Sequence, residues 1–561
     1  MRKKLIPLLL ALVLLVSSLA PLAACEKTLP PHAHSYENGI CTVCNEPCPH
    51  EHYENGECAA CHTPCLHEHY ENGVCATCRT PCAHTYKARA CTVCGQPIRA
   101  DYSYTPHEPG VLPRILIATE DGKNDWATVY FPEFDNNNPE NNIDWQYNAC
   151  SVSVAGGTDE ENFENAKAEI KVRGNWTTTY PKKPFRIKFS KKQNLLGLNG
   201  GAACKNWVLL ADYKDCSLSR NSVAFYLGKQ ILGSDGYYSS DFRQVELYLN
   251  GLYWGVYLLA EQQQVNENRI DISEPEKDDQ RTDIGYLLEY DGYYNLEIRA
   301  ERFYCDFVPR MKTKSGNEVE IYQHGFSIKN DVYYDDVEDC AQKKFIKNYM
   351  NKVFKLCYEA AYNRKYYAFN EKYTDLVPYS PQTDDPVYET VSRAVDVRSL
   401  ADTYLLNEIC CDYDLSWSSF YMDVDFGAGG DKILRFEAPW DFDSALGMRE
   451  NACTSANGLF AAEQANPWLL VFVREDWFQA EVKAKWRELK ANNVPEQTLA
   501  LLKAMQTNYA TAYQKNFARW GFVVNGECYG EAANVRNQKE ASEQVSRWLT
   551  KRFAYLDSIW Q

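Results

Sequence analysis

The sequence predicts an α+β fold in one large domain, preceded by small zinc-ribbon-like repeats. Three observations lead to this prediction. A YENGxCxxC unit recurs near the N-terminus, alternating apolar and polar runs typical of strands fill the first half of the main domain, and helical periodicity dominates its second half. A chain of 561 residues, with 45% hydrophobic and 13% aromatic residues, can bury a sizeable core.

The first 24 residues have the layout of an export signal. Three basic residues precede a continuous apolar run, which ends in small residues. The final LAAC resembles a bacterial lipobox, which implies cleavage before Cys25 and attachment of lipid to its thiol. We therefore expect residues 1–24 to be a signal peptide, and the mature protein to be an extracytoplasmic lipoprotein anchored to the cell membrane at the cell surface. A simple secretory signal with a chance cysteine is the alternative.

Residues 25–96 contain four similar units, whose CxxC pairs begin at Cys41, Cys58, Cys75 and Cys91. Each unit supplies four nitrogen or sulfur ligands, as a closed tetrahedral zinc site requires, and an ENG turn lets the chain double back between ligand pairs. Disulfides are the competing interpretation, but apart from Cys25 the block has eleven cysteines, an odd number, and its histidines are clustered. The four predicted structural zinc sets are His32, His34, Cys41 and Cys44; Cys48, His50, Cys58 and Cys61; Cys65, His67, Cys75 and Cys78; and Cys82, His84, Cys91 and Cys94.

A proline-rich segment, residues 97–113, is predicted to link the repeats to the main domain, residues 114–561. The domain begins with the strand-like RILIATED, and then EIKVRG and FRIKF are predicted to be strands on either side of a basic loop. This loop region suits a polyphosphate or another anionic ligand. The formal net charge of -17 argues against a general nucleic-acid binder. The basic residues concentrated here are Arg173, Lys182, Lys183, Lys188, Lys191 and Lys192.

The next elements are a strand, a capped turn and a helix in NWVLLADYKDCSLSRNSVAFYLGKQIL, and then a hairpin closed by Asn250-Gly251. Further on, DVRSLADTYLLNEICC has the spacing of a core helix. It leads into an acidic loop with Asp414, a hairpin formed by FYMDVD and KILRFE, and the sequence PWDFD. Such a hairpin should bring Asp414 close to Asp441 and Asp443. Because converging carboxylates repel unless a cation lies between them, the pattern predicts Mg²⁺ bridging a nucleotide.

Four ordered segments resemble the CotH (spore coat protein H) kinase family over roughly residues 110 to 560: VRGNWTTTYPKKPFRIKF, NWVLLADYKDCSLSRN, VELYLNGLYWGVYLLAEQ and PWDFDSALG. The resemblance implies an atypical protein-kinase-like domain with two lobes. It also implies ATP-dependent phosphorylation of Ser or Thr in a surface or secreted protein, with Mg²⁺ as cofactor.

By position, the resemblance implies that Asp414 is the catalytic aspartate that orients the substrate hydroxyl. Asp441 would hold the metal, and Asp443 would be a second metal ligand or a structural carboxylate. The expected ATP-binding set is Lys188, which would contact phosphate oxygens, Lys183 as its alternate, Arg173 of the basic loop, and Glu261 near the hinge between the lobes.

The chain departs from the kinase pattern at one position. Five residues after the catalytic aspartate, the pattern has an asparagine that binds a second metal, and this chain has Ser419, a weaker oxygen ligand. The alternative function is therefore a non-catalytic surface or scaffold protein, in which the kinase-like domain and the Cys/His repeats bind partners.

Overall fold

The computed structural model describes residues 100–561 apart from 108, 109, 137 and 334–339. Of the first 99 residues it describes only short stretches: 35–37, 40–42, 53–54, 57–59, 70–71, 74–76, 79, 86–87, 90–91 and 93. The chain divides into two compact units, Met1–Pro97 and Ile98–Gln561. Within the described residues, no helix has the length and apolar character needed to cross a membrane.

The described stretches of the first unit form four antiparallel pairs of two-residue strands, one in each repeat. The pairs are Tyr36–Glu37 with Ile40–Cys41, Tyr53–Glu54 with Glu57–Cys58, Tyr70–Glu71 with Val74–Cys75, and Tyr86–Lys87 with Ala90–Cys91. The prediction that the chain doubles back in each repeat is confirmed. Each pair ends on the first cysteine of a CxxC sequence, and Cys41, Cys58 and Cys75 are buried.

Most of the predicted zinc ligands lie outside the described residues, so the zinc sites remain a prediction. The same is true of the lipid attachment at Cys25. The ligands outside the described residues are His32, His34, Cys44, Cys48, His50, Cys61, Cys65, His67, Cys78, Cys82, His84 and Cys94.

The second unit begins with seven strands that close into a barrel. Around the barrel their order is β2-β3-β4-β5-β7-β6-β1, and β1 pairs parallel with β6 whereas the other pairs are antiparallel. Alternate apolar residues fill the interior, among them Ile170, Ile187 and Trp207. The strands are β1 (Arg114–Thr119), β2 (Asn148–Ala155), β3 (Phe163–Val172), β4 (Phe185–Gln193), β5 (Cys204–Leu210), β6 (Phe242–Leu249) and β7 (Leu252–Glu261).

The hairpin between β6 and β7 turns at Asn250-Gly251, as predicted. Both residues have positive φ, 49° and 77°, which the tight turn between two antiparallel strands requires. The Asn250 side chain also accepts a hydrogen bond from the Thr119 amide at 2.8 Å. The turn therefore fixes the end of β1 against the hairpin.

The rest of the unit combines helices with a four-stranded sheet of order β9-β12-β8-β15. Its strands are β8 (Gly285–Asp291), β9 (Arg302–Tyr304), β12 (Gly325–Ile328) and β15 (Phe420–Asp425), and two further pairs are β10 (Arg310–Lys312) with β11 (Glu318–Glu320) and β13 (Tyr367–Phe369) with β14 (Leu376–Pro378). The helices are α1 (Arg220–Ile231), α2 (Ala341–Asn363), α3 (Pro386–Ser392), α4 (Val397–Cys410), α5 (Pro467–Leu470), α6 (Asp476–Ala491), α7 (Val494–Asn508), α8 (Ala510–Trp520) and α9 (Gln538–Trp560).

One large apolar core joins these elements to the outer face of β5 and β7, where Val208 and Leu258 point away from the barrel interior. The α+β prediction is thus confirmed, with strands concentrated before helices. The barrel closure was not predicted, because it depends on the distant pairing of β1 with β6.

Two local expectations differ from the structure. The segment KILRFE does not form a regular strand, because Leu434 bridges to Val395 while Arg435 bridges to Asp423 of β15. It still runs back along β15, with backbone hydrogen bonds in both directions between residues 423 and 435. The expected linker is also more than a spacer: Tyr102 bonds to Glu488 at 3.0 Å, so its described residues belong to the second unit.

Candidate active site

A cavity of about 980 Å³ lies beside the barrel, where the ends of β5 and β8 meet the loops that follow α4 and residue 439. Its lining includes both acidic and basic residues. The acidic residues are Asp212, Glu289, Asp291, Glu297, Glu301, Asp331, Asp414, Asp441, Asp443 and Glu527. The basic residues are Arg173, Lys182, Arg186, Lys214, Lys329 and Arg449.

The loop with Asp414 is fixed by hydrogen bonds of its own backbone. Helix α4 ends at Cys410, and the φ of 49° at the next residue, Cys411, turns the chain out of the helix. The Asp412 carboxylate then accepts from the Asp414 amide at 3.3 Å and caps a short 3₁₀ turn. The Trp417 amide donates to the Asp414 carbonyl at 2.7 Å. The Asp414 side chain is therefore presented to the cavity from a rigid turn.

Asp441 and Asp443 lie on either side of the buried Phe442, and both line the cavity. Helix α1 holds this segment: Asn221 accepts from the Phe442 amide at 2.9 Å, and the Arg220 guanidinium donates to the Ala445 carbonyl at 3.0 Å. Asp441 has a φ of 66°, a conformation that costs energy for a residue with a Cβ and is frequent at functional sites. The predicted convergence of Asp414 with the aspartate pair is present in the structure.

Lys214 is the closest cation to these aspartates among the described contacts, because its Nζ lies 2.8 Å from an Asp443 oxygen. It follows β5 in a loop that Asp215 organises by capping α1. Burial disfavours the charge of Lys214, but Asp443, Asp414 and Asp441 together raise its pKa above the ordinary lysine value. Lys214 is therefore a buried lysine whose surroundings favour its charged form.

A second ion pair extends the charged surface of the cavity. Arg449 lies 2.8 Å from Glu527, and the same Glu527 oxygen is 4.0 Å from Lys214. Glu527 also accepts a hydrogen bond from the Tyr180 hydroxyl at 3.3 Å. Residues from four separate parts of the chain thus surround the aspartates.

The carboxylates of the site are electrostatically crowded. Burial, and then the nearby Asp443, raise the pKa of Asp441 to about 7. Burial also raises the pKa of Asp414, with Lys214 opposing and Asp443 adding to the shift. Burial, and then the neighbouring Asp414, raise the pKa of Asp412 well above its ordinary value. A cation bound between these groups would relieve the repulsion.

The carboxylates of the site fit a Mg²⁺ ion whose coordination shell is completed by a bound phosphate ligand and water. No group of three or more His, Cys, Asp or Glu side chains in the described part of the chain is arranged to hold a metal by itself. Protein sites for Mg²⁺ commonly use one or two carboxylates, with phosphate oxygens and water completing the shell. Asp441 and Asp443 are of this kind, and the adjacent cations suit phosphate.

The predicted phosphate-binding lysines do not lie at the cavity. Lys188 is on the exposed face of β4, with its Nζ 5.7 Å from the centre of the Tyr147 ring. Lys183 is buried and donates to the Thr178 and Tyr180 carbonyls at 2.6 and 3.2 Å, so it fixes the basic loop. The structure instead places Lys182 and Lys214 at the cavity wall.

The other predicted residues are divided between the cavity and the core. Arg173 lines the cavity, with its guanidinium 5.8 Å from the centre of the Trp440 ring. Glu261 is fully buried in an ion pair with Arg269 at 3.1 Å and does not line it. Ser419 does line the cavity, with a φ of 61° and its amide bonded to Glu289 at 3.0 Å.

Lys214, Arg449 and Glu527 were not identified from the sequence. For Lys214 a signal existed, because it lies between a predicted strand and a helix-capping aspartate in one of the four quoted segments. Glu527 had no local signal, since it comes from a loop more than 80 residues after the aspartate pair.

The family model described as CotH kinase protein matches residues 170–556, which include β4 to β15, helices α1 to α8, most of α9, and Asp414, Asp441 and Asp443. No curated protein matches the chain.

Proposed function

Because the chain belongs to the CotH kinase family, we propose that it is a phosphotransferase that moves phosphate from ATP to Ser or Thr of a surface or secreted protein. In this proposal the barrel is the nucleotide-holding lobe of a two-lobed kinase-like domain, and the sheet and helices that follow form the second lobe. The cavity beside the barrel is then the active site.

The observation that supports the proposal most strongly is that Asp414, Asp441 and Asp443 line one cavity together with Lys214. Kinase chemistry needs a carboxylate to orient the attacking hydroxyl, a carboxylate to hold metal, and fixed cations for the phosphates. Three carboxylates and a buried lysine that could serve these roles line this cavity. A turn of solvated aspartates would instead be exposed, whereas Asp443 is 6% exposed.

Asp414 would accept the proton of the substrate hydroxyl. The oxygen of that hydroxyl would bond to the γ-phosphorus of ATP as the bond between this phosphorus and ADP breaks. Asp441 and Asp443 would hold Mg²⁺, with Ser419 as a weaker additional ligand. When bound, Mg²⁺ neutralises charge on the phosphates. Lys214 and Arg173 would contact phosphate oxygens, the role that sequence analysis gave to Lys188 and Lys183.

The N-terminal features complete the proposal. We propose a lipid anchor at Cys25, which would hold the enzyme at the extracytoplasmic face of the membrane. The repeats would bind zinc as structural metal and separate the domain from the membrane or contact a partner. The short strand pairs support this proposal, because each leads directly into a CxxC sequence.

The test is transfer of γ-phosphate from labelled ATP to proteins of a cell-surface fraction by the purified chain with Mg²⁺. The parent protein should produce phosphoserine or phosphothreonine. Asp414→Asn should lower transfer by about 10² to 10⁴ while ATP affinity stays unchanged, because its carboxylate acts on the hydroxyl and not on the nucleotide. ATP binding without any transfer by the parent would favour the scaffold alternative, and absence of ATP binding would reject the proposal.

A further inference from the structure

Three consecutive glutamines, Gln262 to Gln264, directly follow β7. Gln262 is adjacent to Glu261, which pairs with Trp207, the middle residue of β5. Asp212 and Lys214 come after Leu210, the last residue of β5. At about 3.3 Å per residue, the three residues from Trp207 to Leu210 put roughly 10 Å of strand between the level of Glu261 and the loop with Asp212 and Lys214.

Two of the three glutamines line the cavity, and each has a buried polar atom without a hydrogen-bond partner among the described residues. These atoms are Oε1 of Gln262, an acceptor, and Nε2 of Gln263, a donor. The Gln263 side chain is 9% exposed. Buried polar groups normally find a partner, so this pair points to one that the protein does not supply.

The third glutamine differs from its neighbours in this respect. Gln264 accepts a hydrogen bond from the Asn206 amide at 3.2 Å, and it does not line the cavity. Its carbonyl is taken by the Ile270 amide at 3.4 Å. Gln264 thus has the same side chain as Gln262 and Gln263 and adjoins them in sequence, but its hydrogen bonds are made to other residues of the protein.

The surroundings of the free amides suit a flat ring. Ile328 and Tyr421 line the same cavity. Tyr421 also packs on a small apolar cluster that includes Val265, next to the glutamines. A ligand with a flat base and a charged group would match the glutamines and the charged residues of this cavity.

We propose that Gln262 and Gln263 read the adenine base of the nucleotide: Oε1 of Gln262 accepts from the N6 amino group, and Nε2 of Gln263 donates to N7. One acceptor beside one donor is the pattern with which glutamine amides recognise this edge of adenine. This inference rests on the proposed function, because it needs a nucleotide whose phosphates lie at the aspartates.

The test compares the binding of three nucleotides to the full chain in the presence of Mg²⁺. Inosine triphosphate replaces the N6 amino group with an oxygen, and 7-deaza-ATP lacks N7. The parent protein should bind each of them about tenfold more weakly than ATP, the effect of losing one hydrogen bond at a buried site. Equal affinity for all three, or tighter binding of GTP than of ATP, would overturn the inference without any variant.

The variants assign each contact to its glutamine. Gln262→Met should abolish the discrimination against inosine triphosphate and keep that against 7-deaza-ATP, whereas Gln263→Met should do the reverse. Gln264→Met is the matched control and should keep both. If neither Gln262→Met nor Gln263→Met alters the discrimination between the nucleotides, the assignment is overturned.

Inorganic triphosphate distinguishes failure of this inference from failure of the proposed function. A parent protein that binds ATP and Mg²⁺-triphosphate, but shows no dependence on the base, has a phosphate site and no adenine reading. A parent protein that binds neither compound contradicts both.

Discussion

Two buried lysines at the cavity wall, Lys182 and Lys214, have opposite electrostatic environments. Lys182 donates to the Ala211 and Val256 carbonyls at 2.7 and 2.5 Å, and burial lowers its pKa to about 7 although Asp212 opposes the shift. Lys214 lies 2.8 Å from Asp443, and the surrounding aspartates raise its pKa. Both are buried lysines near an aspartate, and only the second is held as a cation.

The difference shows that burial alone does not define the function of a lysine. Lys182 is bonded to the backbone carbonyls of Ala211, just after β5, and Val256, within β7, so its role is to join β5 and β7 to the basic loop. Lys214 is paired with Asp443, a carboxylate proposed to bind the metal ion, and binding of the metal there would free the lysine for phosphate. The comparison therefore separates a structural lysine from one proposed to bind ligand.

The largest expected effect is on stability and belongs to Lys214. Lys214→Met leaves Asp443 buried without its cation, which should lower the free energy of unfolding by about 3 to 5 kcal/mol. Lys182→Met removes a donor from two carbonyls and should cost about 1 to 3 kcal/mol. Urea denaturation at pH 7 measures both. Adding Asp443→Asn to Lys214→Met should recover most of the loss, and equal losses in the two single variants would remove the distinction.

The next effect is a dependence on pH. Since the pKa of Lys182 falls from 10.5 to about 7 on folding, the unfolded chain binds an additional proton between these values. This group therefore makes the folded state more stable as pH rises through that window, and Lys182→Met should flatten that rise. Lys214 has a raised pKa, so it gives no such rise between pH 7 and 10. The check is the free energy of unfolding at pH 7, 8 and 9.5; an unchanged slope in Lys182→Met would contradict the assignment.

The smallest effect belongs to Lys188. Because it lies on the exposed face of β4 outside the cavity, Lys188→Met should change ATP affinity by less than about twofold. Arg173→Met, at the cavity, should weaken it by about tenfold or more through loss of a charged contact. Nucleotide titration of both variants tests the cavity assignment, which a larger effect of Lys188→Met would contradict.

Local patterns in the sequence predicted much of the domain. The strands β3 and β4, helix α1, the Asn250-Gly251 hairpin and helix α4 were all identified, because each has a periodicity or a turn signal within a few residues. The convergence of Asp414 with Asp441 and Asp443 followed from the chain doubling back after β15. These features depend on contacts close in sequence.

Features that depend on distant contacts were not predictable in this way. Closure of the barrel needs β1 beside β6, and the ion pair of Arg449 needs Glu527 from a later loop. The position of Lys188 was also not predictable from local sequence. Alternation along β4 puts Lys188 on the outer face, but it does not tell which part of that face the cavity covers.

The central claim is that Asp441 holds Mg²⁺ against the nucleotide phosphates, and ATP titration with and without Mg²⁺ tests it most directly. The parent protein should bind ATP far more tightly with Mg²⁺. In Asp441→Asn this dependence on Mg²⁺ should disappear, because the amide keeps the size of the carboxylate but removes the charge that attracts the cation. The same change at the exposed Asp375, outside the cavity, should leave it intact. An Asp441→Asn variant whose ATP binding still depends on Mg²⁺ as in the parent would contradict the account.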